Sequence, residues 1–284
     1  MKIQLRYQFN TFDVDVPEEA LGALLFDKAV KETNIIRKQV RIVYNKNGEN
    51  VPIAENTKIK DVGATTFIIK DMGPQIGWRT SFLLEYCGPF VICPLLLLIL
   101  RNKLVWNSYF TIGIIMWELH YAKRIYESIW VHTFSHATMP LADSMRNVVY
   151  YWTFTILVNY NLYDKSLSVK GLHLYQILAI PCWFVCECLN LYCHIGLANL
   201  RPKGSKEHYL PKGFLFDQIA CPNYTFEISG WIFFSIYSGL LISFFFTICG
   251  GTTMFIWAEK KRNNLIKKWP EAKNRGRISP FTFF

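Results

Sequence analysis

ISGWIFFSIYSGLLISFFFTICGGTTMFIWA, Ile228–Ala258, runs without a charged residue. As one helix it would extend roughly 46 Å at about 1.5 Å per residue, well beyond a hydrocarbon core of about 30 Å. Basic segments flank it: Arg201–Lys212, and Lys260–Arg277 with eight Lys or Arg against the single acid Glu271. Positive charge collects on the cytosolic side of membrane proteins. Both flanks therefore belong there, with an even number of crossings between them. A helical hairpin beginning nearer Phe214 meets both conditions.

Outward from this run, charge-free stretches recur at Gly88–Leu100, Leu104–Trp117, Val148–Tyr163, Leu172–Cys186 and Cys188–Leu200. The 284-residue chain is 51% hydrophobic and 18% charged, against about 25% charged in a soluble domain. The first 75 residues hold no such stretch. The expected architecture is an N-terminal ubiquitin-like β-grasp domain (1–72), a linker (73–81), and an all-α polytopic membrane domain (82–284). About six transmembrane helices are expected, with both termini cytosolic. The spans before the hairpin fall near Phe82–Leu100, Leu104–Ile125, Val148–Tyr163 and Leu172–Leu200. Arg101 and Lys103, which this count places in the lumen, run against the charge rule.

The N-terminal part alternates apolar and polar residues in MKIQLRYQFNTFDVDV and lacks the apolar core of a signal peptide. Ile3–Phe9 and Phe12–Val16 read as a hairpin. Pro17, Glu18 and Glu19 suit the first turn of a helix, with Leu21, Leu24, Leu25 and Ala29 as its apolar face. Val40–Tyr44 and Thr66–Ile69 read as later strands, giving the β-β-α-β-β order of a β-grasp. No catalytic cluster appears here, so a docking or regulatory module is expected.

Eight cysteines lie in or beside apolar runs. The cluster Cys182, Cys186, Cys188, Cys193 lacks CxxC pairing, so small lipid-compatible side chains explain it better than metal or disulfides. The net charge of +10 is a topology signal that also attracts phosphate-rich ligands. No nucleic-acid partner is expected.

Polar residues inside spans are costly and usually line a cavity or pair with one another. Glu118, His120, Tyr121, Lys123, Arg124 and Glu127 close the second span, and His132, Ser135 and His136 follow. Asn190, His194 and Asn199 share a face of the fourth. Asn223, Tyr224 and Glu227 open the fifth. Interhelical polar glue accounts for any one of these, but together they suggest a pocket at the cytosolic ends. His132 and His136 have the i, i+4 spacing of a metal pair. Di-iron membrane oxygenases need about eight histidines, however, and this chain has six; no metal is expected. No GxGxxG loop follows a strand, so a nicotinamide cofactor would not sit on a Rossmann fold.

HYAKRIYESIWVHTFSHATMPL (His120–Leu141) resembles the central motif of the very-long-chain trans-2-enoyl-CoA reductases. QIGWRTSFLLEYCGPF (Gln75–Phe90), NLRPKGSK (Asn199–Lys206) and CPNYTFEISGW (Cys221–Trp231) resemble further parts of that family. The ending KKWPEAKNRGRISPFTFF resembles the C-terminus of the wider steroid 5α-reductase superfamily, whose likeness covers about 120–284. The resemblance implies an NADPH-dependent enzyme of the endoplasmic reticulum membrane. Its reaction would be the last of fatty-acid elongation, alongside an elongase, a ketoacyl reductase and a dehydratase, with membrane lipid around it and a long-chain enoyl-CoA as substrate. The active-site mouth would be cytosolic.

The resemblance also implies roles. Asn190, Arg201, Asn223 and Glu227 match the superfamily's NADPH site, and His194 takes the place of an acid there. Arg124, His132 and Ser135 extend the cofactor set. Tyr121 and Glu127 fall to the substrate. Tyr224 is the expected catalytic tyrosine and Lys123 a second candidate, with Lys123 or Arg124 expected near the Tyr224 phenol. Lys203 and Lys206 could meet phosphates or serve only as flanking charge. The family's tail carries a tyrosine where this chain has Leu265, so any contact made by that tyrosine is absent or replaced. Reduction of a steroid or polyprenol enone is the alternative within the same architecture, and a non-catalytic scaffold is the alternative outside it.

Overall fold

The computed structural model describes residues 1–134, 137–200 and 209–279. The chain divides into two compact units, Met1–Gly77 with Thr138–Ser144, and Trp78–Ala137 with Met145–Phe284.

The first unit is strand-rich. β1 (Lys2–Tyr7), β2 (Asn10–Asp15), α1 (Gly22–Thr33), β3 (Val40–Lys46), β4 (Glu49–Pro52), α2 (Ile59–Val62) and β5 (Thr66–Asp71) follow in order. The sheet runs β2-β1-β5-β3-β4, with β1 parallel to β5 and the other neighbours antiparallel. Alternation along the strands puts Ile3, Leu5, Ile42, Phe67 and Ile69 on one face, where Leu25, Phe26 and Ala29 of α1 cover them.

The helix starts later than its acidic signal. Pro17–Ala20 forms a turn closed by the Ala20 N–H on the Pro17 carbonyl (3.1 Å), and Leu21 bridges to Lys58. Glu19 is paired with Lys58 and Lys60, so the acid serves a tertiary ion pair rather than the first helical turn. β6 (Gln75–Gly77) pairs antiparallel with β7 (Thr138–Pro140). The expected linker thus carries a strand.

The second unit is helical: α3 (Trp78–Leu100), α4 (Ser108–Tyr126), α5 (Leu141–Ser166, entering this unit at Met145), α6 (Leu174–Asn199), α7 (Pro222–Ser238) and α8 (Leu241–Lys268). Among the described residues, α3, α6 and α8 are long and apolar enough to cross a membrane, which marks a membrane protein. The core gathers Tyr109, Phe110, Trp117, Tyr121, Trp231, Phe234, Tyr237 and Phe246.

The long apolar run is broken at Gly239, whose φ of +59° ends α7 in the left-handed region that favours glycine. The Lys165 ammonium donates to the Ser238 and Gly239 carbonyls at 2.8 and 2.9 Å, a cation at the negative end of a helix. Hydroxyl pairs tie α7 to α8, Ser235 with Thr247 at 3.0 Å and Ser238 with Ser243 at 2.8 Å. Such bonds hold helices where lipid removes the hydrophobic drive.

α3 meets α5 closely at Gly88. A Cβ there would lie 1.7 Å from Trp152 Nε1, which donates to the Leu84 carbonyl at 3.0 Å. Gly88→Ala must displace the indole, and is expected to destabilise the fold by about 1–3 kcal/mol. Thermal unfolding in detergent measures this; an unchanged midpoint would show that the indole yields freely.

Candidate active site

Helical spacing assembles the polar groups before any tertiary contact forms. His120, Lys123 and Arg124 of α4 and Glu127 at its C-cap recur at i, i+3, i+4 and i+7, one face of a helix. Glu187, Asn190 and His194 do the same on α6, and Asn223 and Glu227 on α7. Beyond α4 a wide turn, Glu127–Val131, is closed by the His132 N–H on the Glu127 carbonyl at 2.7 Å. Such a π turn re-aims the chain.

The three faces meet in a buried ring. Glu187 pairs with Lys123 (2.6 Å) and His120 (2.9 Å), and His120 reaches Glu227 at 3.5 Å. Arg124 pairs with Glu127 at 2.5 Å, lies 3.9 Å from Glu227, and donates to the Tyr86 hydroxyl at 2.8 Å. His194 Nδ1 meets Glu127 at 3.0 Å. Lys123 donates to Asn190 Oδ1 at 2.7 Å, and Asn190 Nδ2 donates to the Asn223 carbonyl at 2.8 Å. Asn223 Nδ2 meets His194 Nε2 at 3.3 Å. The direction of the chain follows from its donors. Lysine can only donate, so Asn190 turns its oxygen to Lys123 and its amide N–H₂ to Asn223. The Asn223 amide meets His194 Nε2, while His194 Nδ1 lies between Glu127 at 3.0 Å and Arg124 Nη1 at 3.3 Å.

The buried polar atoms without a hydrogen-bond partner among the described residues include the Tyr121 hydroxyl, Arg124 Nε and His132 Nδ1. Buried polar groups are normally bonded, so these are open to a polar ligand. Tyr121 is wholly buried among Trp117, His120, Tyr151 and Trp231. Beside this ring, the buried Glu85 carboxyl accepts from Ser81 (3.0 Å) and Asn147 (3.1 Å).

The expected residues divide. Lys123, Arg124, Glu127, Asn190, His194, Asn223 and Glu227 come together. Glu127 is held by Arg124 and His194. His132 packs against the His194 ring at 5.0 Å, while Asn199 is exposed. Arg201, Ser135, His136, Lys203 and Lys206 lie outside the described residues. Tyr224 has a cation beside it, but that cation is Lys261 of α8: its ammonium donates to the phenol oxygen at 2.8 Å. Lys123 and Arg124, expected in that place, are engaged by Glu187 and Glu127. Leu265 joins Tyr224 in a small apolar cluster with Ala220, Cys221 and Ala258.

Glu187 was the residue missed. Its signal was the one charge interrupting the apolar run 172–200, three residues before Asn190. Lys261 was hidden among eight basic residues of the tail, and Tyr86 and Glu85 within an apolar span. Glu127, His132 and His194 bring donor atoms within 4.8 Å of one another. Arg124 already bonds Glu127, and both His194 nitrogens have partners. The donor set therefore suits ion pairing rather than a cation.

His132 lies in the loop beyond the helices. Burial, with Arg124 and His194 nearby, holds its imidazole down from the ordinary 6.5 to about 3. Between these values the unfolded chain binds a proton that the folded chain refuses, so stability falls as pH drops through that window. The thermal midpoint of the wild type is expected to fall relative to His132→Gln between about pH 6.5 and 4.5. Parallel midpoint curves would remove the assignment.

The profile of the 3-oxo-5-alpha-steroid 4-dehydrogenase family matches residues 137–283. The chain is 38% identical over 231 residues to the very-long-chain enoyl-CoA reductase of Dictyostelium discoideum, covering 78% of this chain and 76% of that protein. It is 34% identical over 280 residues to the Caenorhabditis elegans protein named "Probable very-long-chain enoyl-CoA reductase art-1", covering 89% and 90%.

Proposed function

Because the chain belongs to the 3-oxo-5-alpha-steroid 4-dehydrogenase family, and within it to the very-long-chain enoyl-CoA reductases, we propose that it is an NADPH-dependent oxidoreductase. It saturates the 2,3 double bond of a very-long-chain trans-2-enoyl-CoA. The observation that supports this most is the buried ring on α4, α6 and α7, in which Tyr121 Oη, Arg124 Nε and His132 Nδ1 have no hydrogen-bond partner among the described residues. The residues suited to hold NADPH are Arg124, His132, Asn190, His194, Asn223 and Glu227, with Arg201 and Ser135 beyond the described residues. When bound, NADPH supplies the hydride that reduces C3.

The side chains divide the remaining work. Reduction at C3 builds negative charge on the thioester oxygen, and donors aimed at developing charge are usually the largest electrostatic contribution. The Tyr121 hydroxyl, without a partner among the described residues, suits this task. A proton must then reach C2. Tyr224 suits that role, because Lys261 donates to its oxygen and leaves the phenol's own proton free to be given away. Glu127 orients Arg124 and His194 and does not need to touch substrate.

The finer architecture belongs to the same reading. The six long helices are six spans in the endoplasmic reticulum membrane, multi-pass, with both termini and the site mouth cytosolic. The N-terminal sheet is a ubiquitin-like module. An elongase, a ketoacyl reductase and a dehydratase are the partners that such a last step of elongation needs.

The test is NADPH oxidation by purified protein with a long-chain trans-2-enoyl-CoA, run beside a steroid enone. Turnover of the acyl-CoA is expected. Turnover of the enone alone would transfer the chain to the steroid branch, and turnover of neither would end the enzymatic reading.

A further inference from the structure

Glu187 makes two short contacts to the site, yet no role in binding or chemistry requires a carboxylate there. One oxygen lies 2.6 Å from the Lys123 ammonium and the other 2.9 Å from His120 Nδ1. The carboxylate lies against Gly230 of α7, where a Cβ would come within 3.3 Å of Oε1. Both neighbouring helices therefore accommodate it, one with Lys123 and His120 and one with the absence of a side chain.

The contact divides the site's charges. Two cations, Lys123 and Arg124, stand on adjacent positions of α4. Lys123 also lies 3.9 Å from Glu127 Oε1, the oxygen that His194 Nδ1 meets at 3.0 Å. With Glu187 in place, Lys123 is held on α6 and Glu127 is left to Arg124 and His194. Without it, Glu127 becomes the nearest carboxylate for both cations. Lys123 would then leave Asn190, whose carboxamide oxygen would lose its donor.

We propose that Glu187 is a positioning residue of the reductase site: by holding Lys123 and His120 it keeps Lys123 off Glu127 and on the Asn190 oxygen, whose amide N–H₂ bonds the Asn223 carbonyl. This deepens the cofactor reading above and rests on it. Its consequence is specific. Loss of Glu187 disturbs cofactor binding by way of Lys123, and not by an independent route.

The test uses the full chain in detergent, with Glu187→Leu, Glu187→Gln, Lys123→Met and the Glu187→Leu/Lys123→Met double variant. NADPH Kd, KM, kcat and thermal midpoint are measured for each. Glu187→Leu is expected to raise the Kd and KM for NADPH by about 10–100-fold, the scale of a lost hydrogen bond to a charged group, with a smaller change in kcat. Glu187→Gln keeps an acceptor for Lys123 and is expected to recover most of that loss. The double variant is expected to bind NADPH no more weakly than Lys123→Met alone.

Three results overturn the proposal. These are Glu187→Leu with wild-type NADPH affinity, losses that add in the double variant, and a lowered midpoint with KM unmoved, which is a purely structural role. The midpoints form a second cycle that needs no cofactor. If the wild type fails to bind NADPH, the cofactor reading falls, and additive midpoint shifts still decide separately against the contact between Glu187 and Lys123.

Discussion

Tyr224→Phe is expected to lower kcat by about 10²–10⁴-fold, the usual contribution of a positioned general acid, while leaving NADPH affinity unchanged. The phenol lies at the opening turn of α7, and the ammonium of Lys261 donates to its oxygen at 2.8 Å. Lysine has no acceptor, so the phenol's proton cannot be directed back at it and is available to substrate. The phenylalanine ring preserves the packing with Ala220, Cys221, Ala258 and Leu265, which separates chemistry from folding. Lys261→Met is expected to move kcat in the same direction. Steady-state kinetics together with nucleotide titration decide the matter: full turnover by the phenylalanine variant would falsify the assignment of Tyr224 as proton donor.

The second large effect belongs to Arg124. Its guanidinium bonds Tyr86 and Glu127, contacts His194 at 3.3 Å, and lies 3.9 Å from Glu227. It also lies over the Tyr86 ring, 4.8 Å from the centroid. Arg124→Leu leaves Glu127 without its nearest cation in a buried site, and stranding a buried charge costs about 3–5 kcal/mol. A large fall in thermal midpoint is expected, with loss of measurable NADPH binding. Arg124→Lys keeps the charge but not the planar fork that serves several partners at once, so it is expected to recover only part of either. A lysine variant that matches the wild type in both measurements would show that charge alone suffices.

How far the sequence could be read differs from feature to feature. That the charge-free run from Ile228 to Ala258 must break was legible as a length argument, because it exceeds one crossing and both its flanks are basic; the place of the break, Gly239, was not. The strands were legible from alternation. The start of α1 was not: Pro17, Glu18 and Glu19 carry a good local helix signal, but Glu19 pairs with Lys58 and Lys60 across some forty residues. A local propensity lost to a non-local ion pair. In the site, Asn190, His194, Asn223 and Glu227 were reached by resemblance, and their grouping on helix faces by period. Glu187 was passed over because a single acid in an apolar segment reads as a cost until its partner is visible.

Taken by itself, the sequence determined which stretches are apolar, where the chain changes from strand to helix period, and which polar residues share one face of one helix. These are properties of neighbours along the chain, governed by the 3.6 and 2.0 residue repeats. Only the tertiary structure decided which base meets which acid. His120 meets Glu187 and Lys123 meets Asn190, each across 67 positions, and Tyr224 meets Lys261 across 37. A helix presents its polar face whatever stands opposite. The pairing depends on the register and rotation at which α4, α6, α7 and α8 pack, and those are set by the summed fit of their apolar side chains.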